Sequence, residues 1–359
     1  MTVLGIETSC DESAAAVVEN GRNVLSSVVF SQVPLHQPYG GVVPEIASRS
    51  HLEKISGVIR EALGGAFGAA GETEVCPAWW ERIDAVAVTY GPGLASSLIV
   101  GLSAAKGLAL RLGKPLIGIN HIEAHIHSVF LSSGAPDPRE AGPMLALVVS
   151  GGHTCWIDLP EPGGYTIIGQ TLDDAAGEAF DKAAKLLGLG YPGGPAIDRV
   201  ARQAARRDAV VFPKGRPKPG NPALGALRAE LCVSFSGLKT ALMYHVREQP
   251  PQGEERIAEV AAAYQEAIVE ALAERCERAL QAGRYRALAV GGGVSLNRRL
   301  RERLEQVSAR AGVRVLLAEP RFCGDNAAMI AGLAGAGGGV RGEAAMRLDV
   351  APALEAGTE

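Results

Sequence analysis

Residues 2–18 read TVLGIETSCDESAAAVV, and residues 144–159 read MLALVVSGGHTCWIDL. In both stretches an apolar run meets a short polar turn and a second apolar run follows, which is typical of a β-hairpin. The two hairpins predict one copy of the same motif in each of two lobes. Exposed backbone N–H groups at polar hairpin tips bind oxyanions, so the pair suits a clamp for nucleotide phosphates.

Strands and helices alternate around these hairpins, which predicts an α/β fold. The apolar spacing predicts helices over 45–63, 95–112 and 256–281 and strands over 83–89, 115–119 and 286–290. We expect an N-terminal lobe over 1–135 with 325–336 packing back on it, a C-terminal lobe over 140–324, and a frayed tail over 337–359. Two segments are expected to be loops: an insertion over 64–82 and a basic loop over 206–228.

Composition excludes several classes of protein. Of the 359 residues, 47% are hydrophobic and 21% charged, which excludes a disordered chain. A net charge of −4 argues against a large non-specific nucleic-acid surface. Six cysteines without a CxxC pair indicate free thiols in a reducing compartment. We expect a cytoplasmic protein without a membrane partner, because no apolar run approaches about 18 residues and no signal peptide precedes the first strand.

Two histidines in HIEAH, residues 121–125, stand four positions apart. On a helix His121 and His125 share one face and could share a metal ion, although two core or capping histidines are the alternative. A zincin peptidase needs HExxH, whereas Glu123 here points to the far side of the helix. This order excludes peptidase chemistry. We expect His127 to lie at the surface.

Glycine clusters mark two further turns. SGGHT at 150–154 forms the tip of the second hairpin, where glycines allow a ligand close to the backbone, although a plain tight turn has the same composition. GGG at 291–293 follows a strand and precedes a helix with Asn297 in its first turn, which suits an anion at a helix N-terminus. The GGG cluster lacks the spacing of a Rossmann or P-loop fingerprint.

Acidic residues stand out in two places. Residues 173–198 read DDAAGEAFDKAAKLLGLGYPGGPAID, and their carboxylates form either a solvated helix face or a site for a hydroxyl-rich ligand such as a ribose. In CGDNAAMIAG, residues 323–332, Asp325 precedes an apolar helix. Its position favours a helix N-cap over a carboxylate that faces a ligand.

Seven blocks together resemble one family, and they span residues 5–332. In chain order they are GIETSCDES, HIEAHIHS, VSGGHT, the 173–198 block, SFSGLKTA, GGGVSLNRRLR and CGDNAAMIAG. They closely resemble the TsaD/YgjD/Gcp family, the tRNA N6-adenosine threonylcarbamoyltransferases. Ala124 and Gly324 stand where the family often has Gly and Thr, and neither change removes a ligand.

The resemblance implies a fold and a reaction. The fold is two-lobed, of the actin/hexokinase/Hsp70-like (ASKHA) type, with an interlobe cleft. The reaction moves a threonylcarbamoyl group from threonylcarbamoyl-AMP to N6 of adenosine 37, in tRNAs that read codons beginning with A. It forms t6A and releases AMP.

The resemblance also implies roles for individual residues. The metal ligands are His121, His125 and Asp325, which reverses the cap-first interpretation of Asp325. They would hold one Fe²⁺ per subunit, and Zn²⁺ also suits the set. Asp11 and Glu12 match the polar pair of the family's first block, and our own hypothesis is that one of them accepts the N6 proton as the catalytic base. The residues expected to bind the substrate are Val148, Val149, Ser150, Gly151, Gly152, Asp181, Gly194, Asp198 and Asn297.

The family further implies partners: tRNA, a TsaB-like paralogue that pairs through helices of the first lobe, and a TsaE-like ATPase. Two basic patches could contact tRNA or simply face solvent, namely Arg206, Arg207, Lys214, Arg216 and Lys218, and Arg298, Arg299, Arg301 and Arg303. Two other functions are alternatives. A kinase of the same fold would use Mg²⁺ held by carboxylates, which the two histidines argue against. A non-catalytic nucleotide-binding scaffold would not need the histidines.

Overall fold

A computed structural model of the chain describes residues 1–68, 76–217, 221–225, 227–281 and 284–358. The chain divides into two compact units, Met1–Pro136 with Ala318–Glu359, and Asp137–Leu317. The second boundary thus falls before Ala318, earlier than the expected change at 324. A hydrogen bond accounts for this difference. The N–H of Glu319 donates to Ser132 Oγ over 2.9 Å, which joins this segment to the first unit.

The strands of the described chain form one sheet in each unit. They are β1 (Thr2–Glu7), β2 (Glu12–Glu19), β3 (Asn23–Ser31), β4 (Ala85–Gly91) and β5 (Leu116–Asn120) in the first, and β6 (Met144–Val149), β7 (Thr154–Leu159), β8 (Thr166–Gln170), β9 (Ala287–Gly291) and β10 (Arg314–Leu317) in the second.

The α-helices of the described chain vary from one turn to seven or more. They are α1 (Val33–His36), α2 (Pro44–Phe67), α3 (Pro77–Glu81), α4 (Ala95–Leu112), α5 (His121–His127), α6 (Pro138–Ala141), α7 (Ala176–Leu186), α8 (Gly193–Ala201), α9 (Ser236–Glu248), α10 (Gly253–Leu280), α11 (Arg298–Ala311), α12 (Pro320–Cys323), α13 (Ala327–Gly335) and α14 (Gly342–Arg347).

The two sheets repeat one topology. Their strand orders are β3-β2-β1-β4-β5 and β8-β7-β6-β9-β10. In each sheet the first three strands of the unit pair antiparallel, and the last two continue the sheet in parallel from its first strand. The two predicted hairpins are β1–β2 and β6–β7. The α/β fold and the internal repeat are therefore confirmed.

The centre of the first sheet is buried on both faces. β4 and β5 are buried along their whole length, and β1 is buried after its first residue, which suits parallel strands covered by helices on both sides. α13 packs against β1, β2 and α5. A Cβ at Gly5 would lie 2.4 Å from the carbonyl oxygen of Ala327. Only glycine therefore lets this helix approach β1 so closely.

Residues 64–82 differ from the expected loop insertion. Residues 64–67 continue α2, and α3 brings the indole of Trp79 into the core of the first unit. A Cβ at Gly68 would lie 3.1 Å from that indole, so the end of α2 lies directly against it. Residues 69–75 lie outside the described part of the chain.

The described part of the basic loop over 206–228 is attached to helix α10. Residues 218–220 and 226 lie outside the described residues. The anchor is Arg275 of α10, whose side chain is buried. Its guanidinium donates to the carbonyl oxygens of Gly215 and Cys232 over 3.3 and 3.2 Å. One buried cation therefore joins the loop to the helical core of the second unit.

The C-terminal segment differs from the expected frayed tail. Val340 exchanges two backbone hydrogen bonds of 2.9 Å with Gly118. The N–H of Ala351 donates to Tyr90 O over 2.8 Å, and the side-chain amide of Asn120 donates to Glu355 O over 2.9 Å. Because these contacts join the segment to β4 and β5, it is part of the first unit.

One helix in the described chain, α4, is long and apolar enough to cross a membrane by length and composition. A third of its residues are buried in the first unit. Lys106 within it donates to the carbonyl oxygen of Leu348. A single helix of this kind is weak evidence for a membrane span, because core helices of soluble proteins share its composition.

Gly5→Ala should destabilise the first unit, because its new Cβ would collide with backbone of α13. Overpacking of this kind costs about 1–3 kcal/mol of unfolding free energy. Urea denaturation of the wild type and the variant measures the difference.

Gly57→Ala is the matched control. Gly57 is an exposed position within α2, and a Cβ there would meet no atom of the described residues within 4 Å. Alanine in a helix interior should stabilise the protein by about 0.5–1 kcal/mol. Equal effects of the two substitutions would contradict the close-packing argument.

Candidate metal centre and substrate sites

Three polar residues meet at one edge of the first sheet. Glu7 ends β1, Thr89 lies near the end of the parallel strand β4, and His121 directly follows β5. Carboxyl ends of adjacent parallel strands form the usual ligand-binding edge of α/β sheets. Sequence separation therefore does not prevent these side chains from lying together.

Helix α5 brings its two histidines to this edge. Asn120 is the N-cap, and its Oδ1 accepts hydrogen bonds from the N–H groups of Ile122 and Glu123 over 2.9 and 3.4 Å. The cap fixes where the helix begins, so His121 and His125 occupy adjacent turns. Their ring centroids are 4.6 Å apart, and both side chains are buried.

Asp325 faces the two histidines. Its Oδ1 lies 3.1 Å from Nε2 of His125 and 3.6 Å from Nε2 of His121. The cap-first interpretation of Asp325 is wrong, because the N-cap of α13 is Asn326, whose Oδ1 accepts from the N–H of Met329 over 3.1 Å. The adjacent asparagine supplies the cap and leaves the aspartate side chain available to the histidines.

The donor set fits a transition metal ion. One ligand atom from each of His121, His125 and Asp325 lies within 4.8 Å of the other two. Two imidazoles and one carboxylate suit Fe²⁺ or Zn²⁺ and leave coordination positions for a substrate. The three residues can therefore hold one metal ion.

Burial and two carboxylates, those of Asp325 and Glu7, determine the pKa of His121. Burial lowers its pKa, but the negative charges of Asp325 and Glu7 outweigh burial and raise that pKa to about 9. For His125, burial and then the charge of His121 lower the pKa. Two carboxylates around one imidazole thus favour a cation at this position, either a proton or a metal ion.

Glu7 is a residue of this centre that the sequence motifs did not single out. The signal was present, since Glu7 is the one ionisable residue in the apolar strand TVLGIE. Its buried Oε2 lies 3.1 Å from Nδ1 of His121 and accepts a hydrogen bond from the hydroxyl of Thr89. Burial raises the pKa of Glu7, but the charge and hydrogen bond of His121 lower it, and the net shift is downward.

Glu123 points away from the metal ligands, as its place in the motif predicts. Its Oε1 accepts a hydrogen bond from the backbone N–H of Gly357 over 2.9 Å. This carboxylate therefore holds the C-terminal segment against α5. The contact is consistent with the exclusion of peptidase chemistry.

The expectation that His127 lies at the surface is wrong. His127 is buried and its Nε2 lies 3.1 Å from the carbonyl oxygen of Gly21. Burial lowers its pKa to about 4. It does not belong to the His/His/Asp group found among the described residues. It therefore has a structural role on the same helix.

The expected catalytic pair lies between β1 and β2. Asp11 is buried in the turn, and Glu12 is the first residue of β2. Burial raises the pKa of Glu12, and the charges of Asp11 and Asp325 raise it further. The assignment of Asp11 or Glu12 as the base stays a prediction.

In the second unit, SGGHT forms the turn between β6 and β7. The N–H of Ser150 donates to His153 O over 2.8 Å, and Ser150 Oγ accepts from the N–H of His153 over 3.1 Å. A Cβ at Gly151 or Gly152 would meet no described atom within 4 Å. Packing within the protein therefore does not explain these two glycines.

Other expected substrate residues surround helices α7, α8 and α11. Asp181 Oδ1 accepts from the N–H of Gly193 over 2.6 Å, and Asp198 of α8 pairs with Arg202, which directly follows this helix. Asn297 caps α11 by accepting from the N–H of Leu300 over 3.0 Å. Val148 and Val149 end β6, and Gly194 lies in the first turn of α8. These assignments stay predictions.

In the expected basic patch on α11, two arginines form ion pairs with glutamates of the second unit. Arg299 donates to Glu266 over 2.6 and 2.8 Å, and Arg303 donates to Glu270 over 2.6 and 3.2 Å. These bidentate ion pairs join α11 to α10, so they neutralise two of the four arginines. In the other patch Arg206 pairs with Asp208, and Lys218 lies outside the described residues.

A family model described as TsaD, tRNA N6-adenosine threonylcarbamoyltransferase, matches residues 23–332. The chain belongs to this family. The Anaeromyxobacter sp. (strain Fw109-5) protein of that name is 49% identical over 347 residues, which cover 96% of each chain. The Symbiobacterium thermophilum protein of that name is 48% identical over 329 residues, which cover 92% of this chain and 89% of the relative.

Solved structures with low sequence identity share the fold. HypF of T. kodakarensis superposes with a TM-score of 0.56 at 14% identity, covering 93% of this chain and 47% of HypF. Component A of the (R)-2-hydroxyglutaryl-CoA dehydratase of Acidaminococcus fermentans superposes with a TM-score of 0.50 at 13% identity, covering 92% of this chain and 96% of the other. The ASKHA type of fold is thereby confirmed.

Membership settles the activity and the class of substrate. The protein is a transferase that modifies N6 of adenosine in tRNA with a threonylcarbamoyl group. The kinase and scaffold alternatives are therefore set aside. The His/His/Asp group gives the transferase a site that can hold a metal ion.

The transferase should lose stability in acid partly through His127. Its folded pKa of about 4 lies below the ordinary value of 6.5, so the unfolded chain binds the proton more readily. The contribution of neutral His127 is present above pH 6.5 and is lost as pH falls towards 4. A shift of this size corresponds to about 3 kcal/mol.

His127→Gln should therefore flatten the fall in unfolding free energy between pH 6.5 and 4, because glutamine does not titrate. Urea denaturation of the metal-stripped protein across this range measures the slopes. Parallel curves for wild type and variant would show that His127 is not the group responsible.

Proposed function

We propose that the transferase takes its threonylcarbamoyl group from threonylcarbamoyl-AMP and acts on adenosine 37 of tRNAs that read codons beginning with A. N6 attacks the carbamoyl carbon, the bond to the phosphate oxygen breaks, and AMP leaves. The observation that carries this proposal is the His/His/Asp group at the strand ends, in a chain of this family. The anticodon loop is single-stranded and its bases can unstack, so adenosine 37 can enter an active site.

The metal proposed for the site is one Fe²⁺ per subunit, with Zn²⁺ as the alternative. Both suit two imidazoles and one carboxylate. His121, His125 and Asp325 would hold it. When bound, the ion supplies a Lewis acid that polarises the carbamoyl carbonyl group.

Residues of the second unit are proposed to hold the AMP portion. The open space in front of Gly151, Gly152 and Gly194 supports this role, because a ligand can approach the backbone closely there. Backbone N–H groups of the β6–β7 turn would bind the phosphate. The remaining contacts are proposed for Val148, Val149, Ser150, Asp181, Asp198 and Asn297.

Glu12 or its neighbour Asp11 is proposed to accept the proton that N6 loses during attack. Adenine N6 is a weak nucleophile, so removal of this proton assists the reaction. Because the pKa of Glu12 is raised, its ionised carboxylate binds a proton more strongly than the carboxylate of an ordinary glutamate does. After AMP leaves, this proton can pass to solvent.

A TsaB-like paralogue and a TsaE-like ATPase are the proposed protein partners, and both follow from the family. A net charge of −4 supports shared binding of tRNA, since the chain alone lacks an excess of positive charge. A cytoplasmic location is proposed because tRNA is the substrate.

Helices α2 and α4 are proposed as the surface for the TsaB-like subunit. They expose Leu52 (71%), Ile99 (51%) and Leu110 (71%). Beside them lies a cavity of about 980 Å³, lined by α2, α3 and α4 with Ile59, Trp80 and Leu108 among its residues. Exposed aliphatic side chains beside a groove of mixed apolar and charged lining suit a protein-binding surface.

His125→Ala should abolish transfer and remove the metal ion, because the site loses one of three ligands. The assay uses unmodified tRNA, purified TsaB-like and TsaE-like partners and threonylcarbamoyl-AMP, with nucleoside mass spectrometry as the readout. Metal content is measured on the same samples by plasma mass spectrometry. We expect product formation to fall about 10²-fold or more.

His127→Gln is the control on the same helix, and it should keep both metal and activity. A His125→Ala enzyme that lacks metal yet transfers at the wild-type rate would refute the Lewis-acid role. A wild-type enzyme without product, in the presence of intact donor and folded partners, would refute the proposed donor.

Leu110→Asp should weaken pairing with the TsaB-like subunit roughly 10-fold or more, because it places a charge in an apolar contact. Isothermal titration calorimetry with the purified subunit measures the affinity. Val211→Asp in the second unit is the control, since Val211 is 92% exposed and lies far from these helices in sequence. Equal affinities for both variants would rule out the α2–α4 surface.

A further inference from the structure

The carboxylate of Glu7 is completely buried and makes three contacts. Oε1 accepts a hydrogen bond from the backbone N–H of Ser9, and Oε2 accepts one from the hydroxyl of Thr89. The third contact is between Oε2 and Nδ1 of His121, over 3.1 Å. A buried carboxylate with this many donors is held in one orientation.

This contact determines which nitrogen of His121 can bind a metal. An ionised carboxylate only accepts hydrogen bonds, so Nδ1 of His121 carries a hydrogen and donates it to Glu7. The hydroxyl oxygen of Ser9, 3.2 Å from the same nitrogen, can also accept from this hydrogen. In the neutral imidazole the lone pair is then on Nε2. Nε2 is also the atom that faces Asp325, at 3.6 Å from its Oδ1.

The second histidine has no equivalent support. Within the described residues, Nδ1 of His125 is buried without a hydrogen-bond partner. Its Nε2 faces Asp325 at 3.1 Å. The two histidines of the candidate metal centre are therefore held differently: Nδ1 of His121 contacts the buried carboxylate of Glu7, whereas Nδ1 of His125 has no partner among the described residues.

We propose that Glu7 is a positioning residue of the metal centre, which fixes the ring and the tautomer of His121 so that Nε2 is presented to the ion. The inference rests on the proposed metal site and adds a residue behind its ligands. Carboxylates that accept from the second nitrogen of a ligating histidine raise its basicity, and their loss typically weakens metal binding about 10–100-fold.

Glu7→Gln tests this role with almost no change in volume. A glutamine has one acceptor atom and one donor group. If its NH₂ group faces His121, Nδ1 must accept and the hydrogen moves to Nε2, where it blocks the metal. If its oxygen faces His121, the NH₂ group meets the N–H of Ser9, which is also a donor. Each orientation conflicts with one wild-type contact.

The metal affinity is measured on stripped protein by competition between Zn²⁺ and a chromophoric chelator. We expect Glu7→Gln to bind Zn²⁺ about 10–100-fold more weakly than wild type. Thr89→Val is the matched control. It removes a different donor from the same carboxylate and leaves the contact with His121, so its affinity should fall by much less than that of Glu7→Gln.

A spectroscopic measurement separates positioning from a merely structural role. Nitrogen NMR of the Zn²⁺-loaded wild type, labelled with ¹⁵N-histidine, should show a hydrogen on Nδ1 of His121. This measurement needs no variant, so it holds if Glu7→Gln does not fold. A hydrogen on Nε2 of His121 would overturn the proposal.

The possible failures are distinguishable. A wild-type protein that takes up no metal would overturn the metal centre of the proposed function. A wild type with one metal ion, together with a folded Glu7→Gln variant of equal affinity, would overturn the role of Glu7 alone. Equal weakening by Thr89→Val and Glu7→Gln would assign Glu7 to folding and also overturn the proposal.

Discussion

The close approach of α13 to β1 is the contact on which the candidate metal centre depends. It is possible because Gly5 has no side chain, so the backbone of Ala327 can lie against the strand. The same approach places Asp325, which directly precedes the N-cap of α13, beside two histidines about 200 residues earlier in the sequence. A packing constraint between a strand and a helix thereby becomes a constraint on ligand geometry. Asn326 completes the arrangement by capping α13, which leaves Asp325 to face the histidines.

The second constraint is electrostatic. Glu7 and Asp325 lie on opposite nitrogens of the His121 ring, in a part of the first unit with little access to solvent. Buried carboxylates are costly unless a cation or hydrogen-bond donors balance them. Here His121 supplies the balance when it carries a proton, and a divalent ion can take over that role. This polar centre at the end of apolar strands is therefore best understood as a binding site, in agreement with membership in a transferase family.

The C-terminal segment adds support from the other side of α5. Asn120 caps the helix with its oxygen and donates its amide to Glu355, while Glu123 accepts from Gly357. Both contacts adjoin the helix that carries the two histidine ligands. The glycine-rich composition after residue 336 predicted a frayed tail. This prediction was wrong because composition carries no information about contacts with distant parts of the chain. The backbone hydrogen bonds to β4 and β5 were decided by tertiary structure.

The sequence by itself determined the repeated hairpins, the strand–helix alternation and the His121/His125 spacing, because all of these are local patterns with a fixed period. It also determined the family, since its motifs extend over most of the chain. Only the tertiary structure decided that Asn326 rather than Asp325 caps α13, that His127 is buried, and that Arg299 and Arg303 are paired with glutamates. It alone placed Glu7 behind His121. The physical reason is that each of these depends on a neighbour far away in the chain, and burial and charge pairing are properties of that neighbourhood.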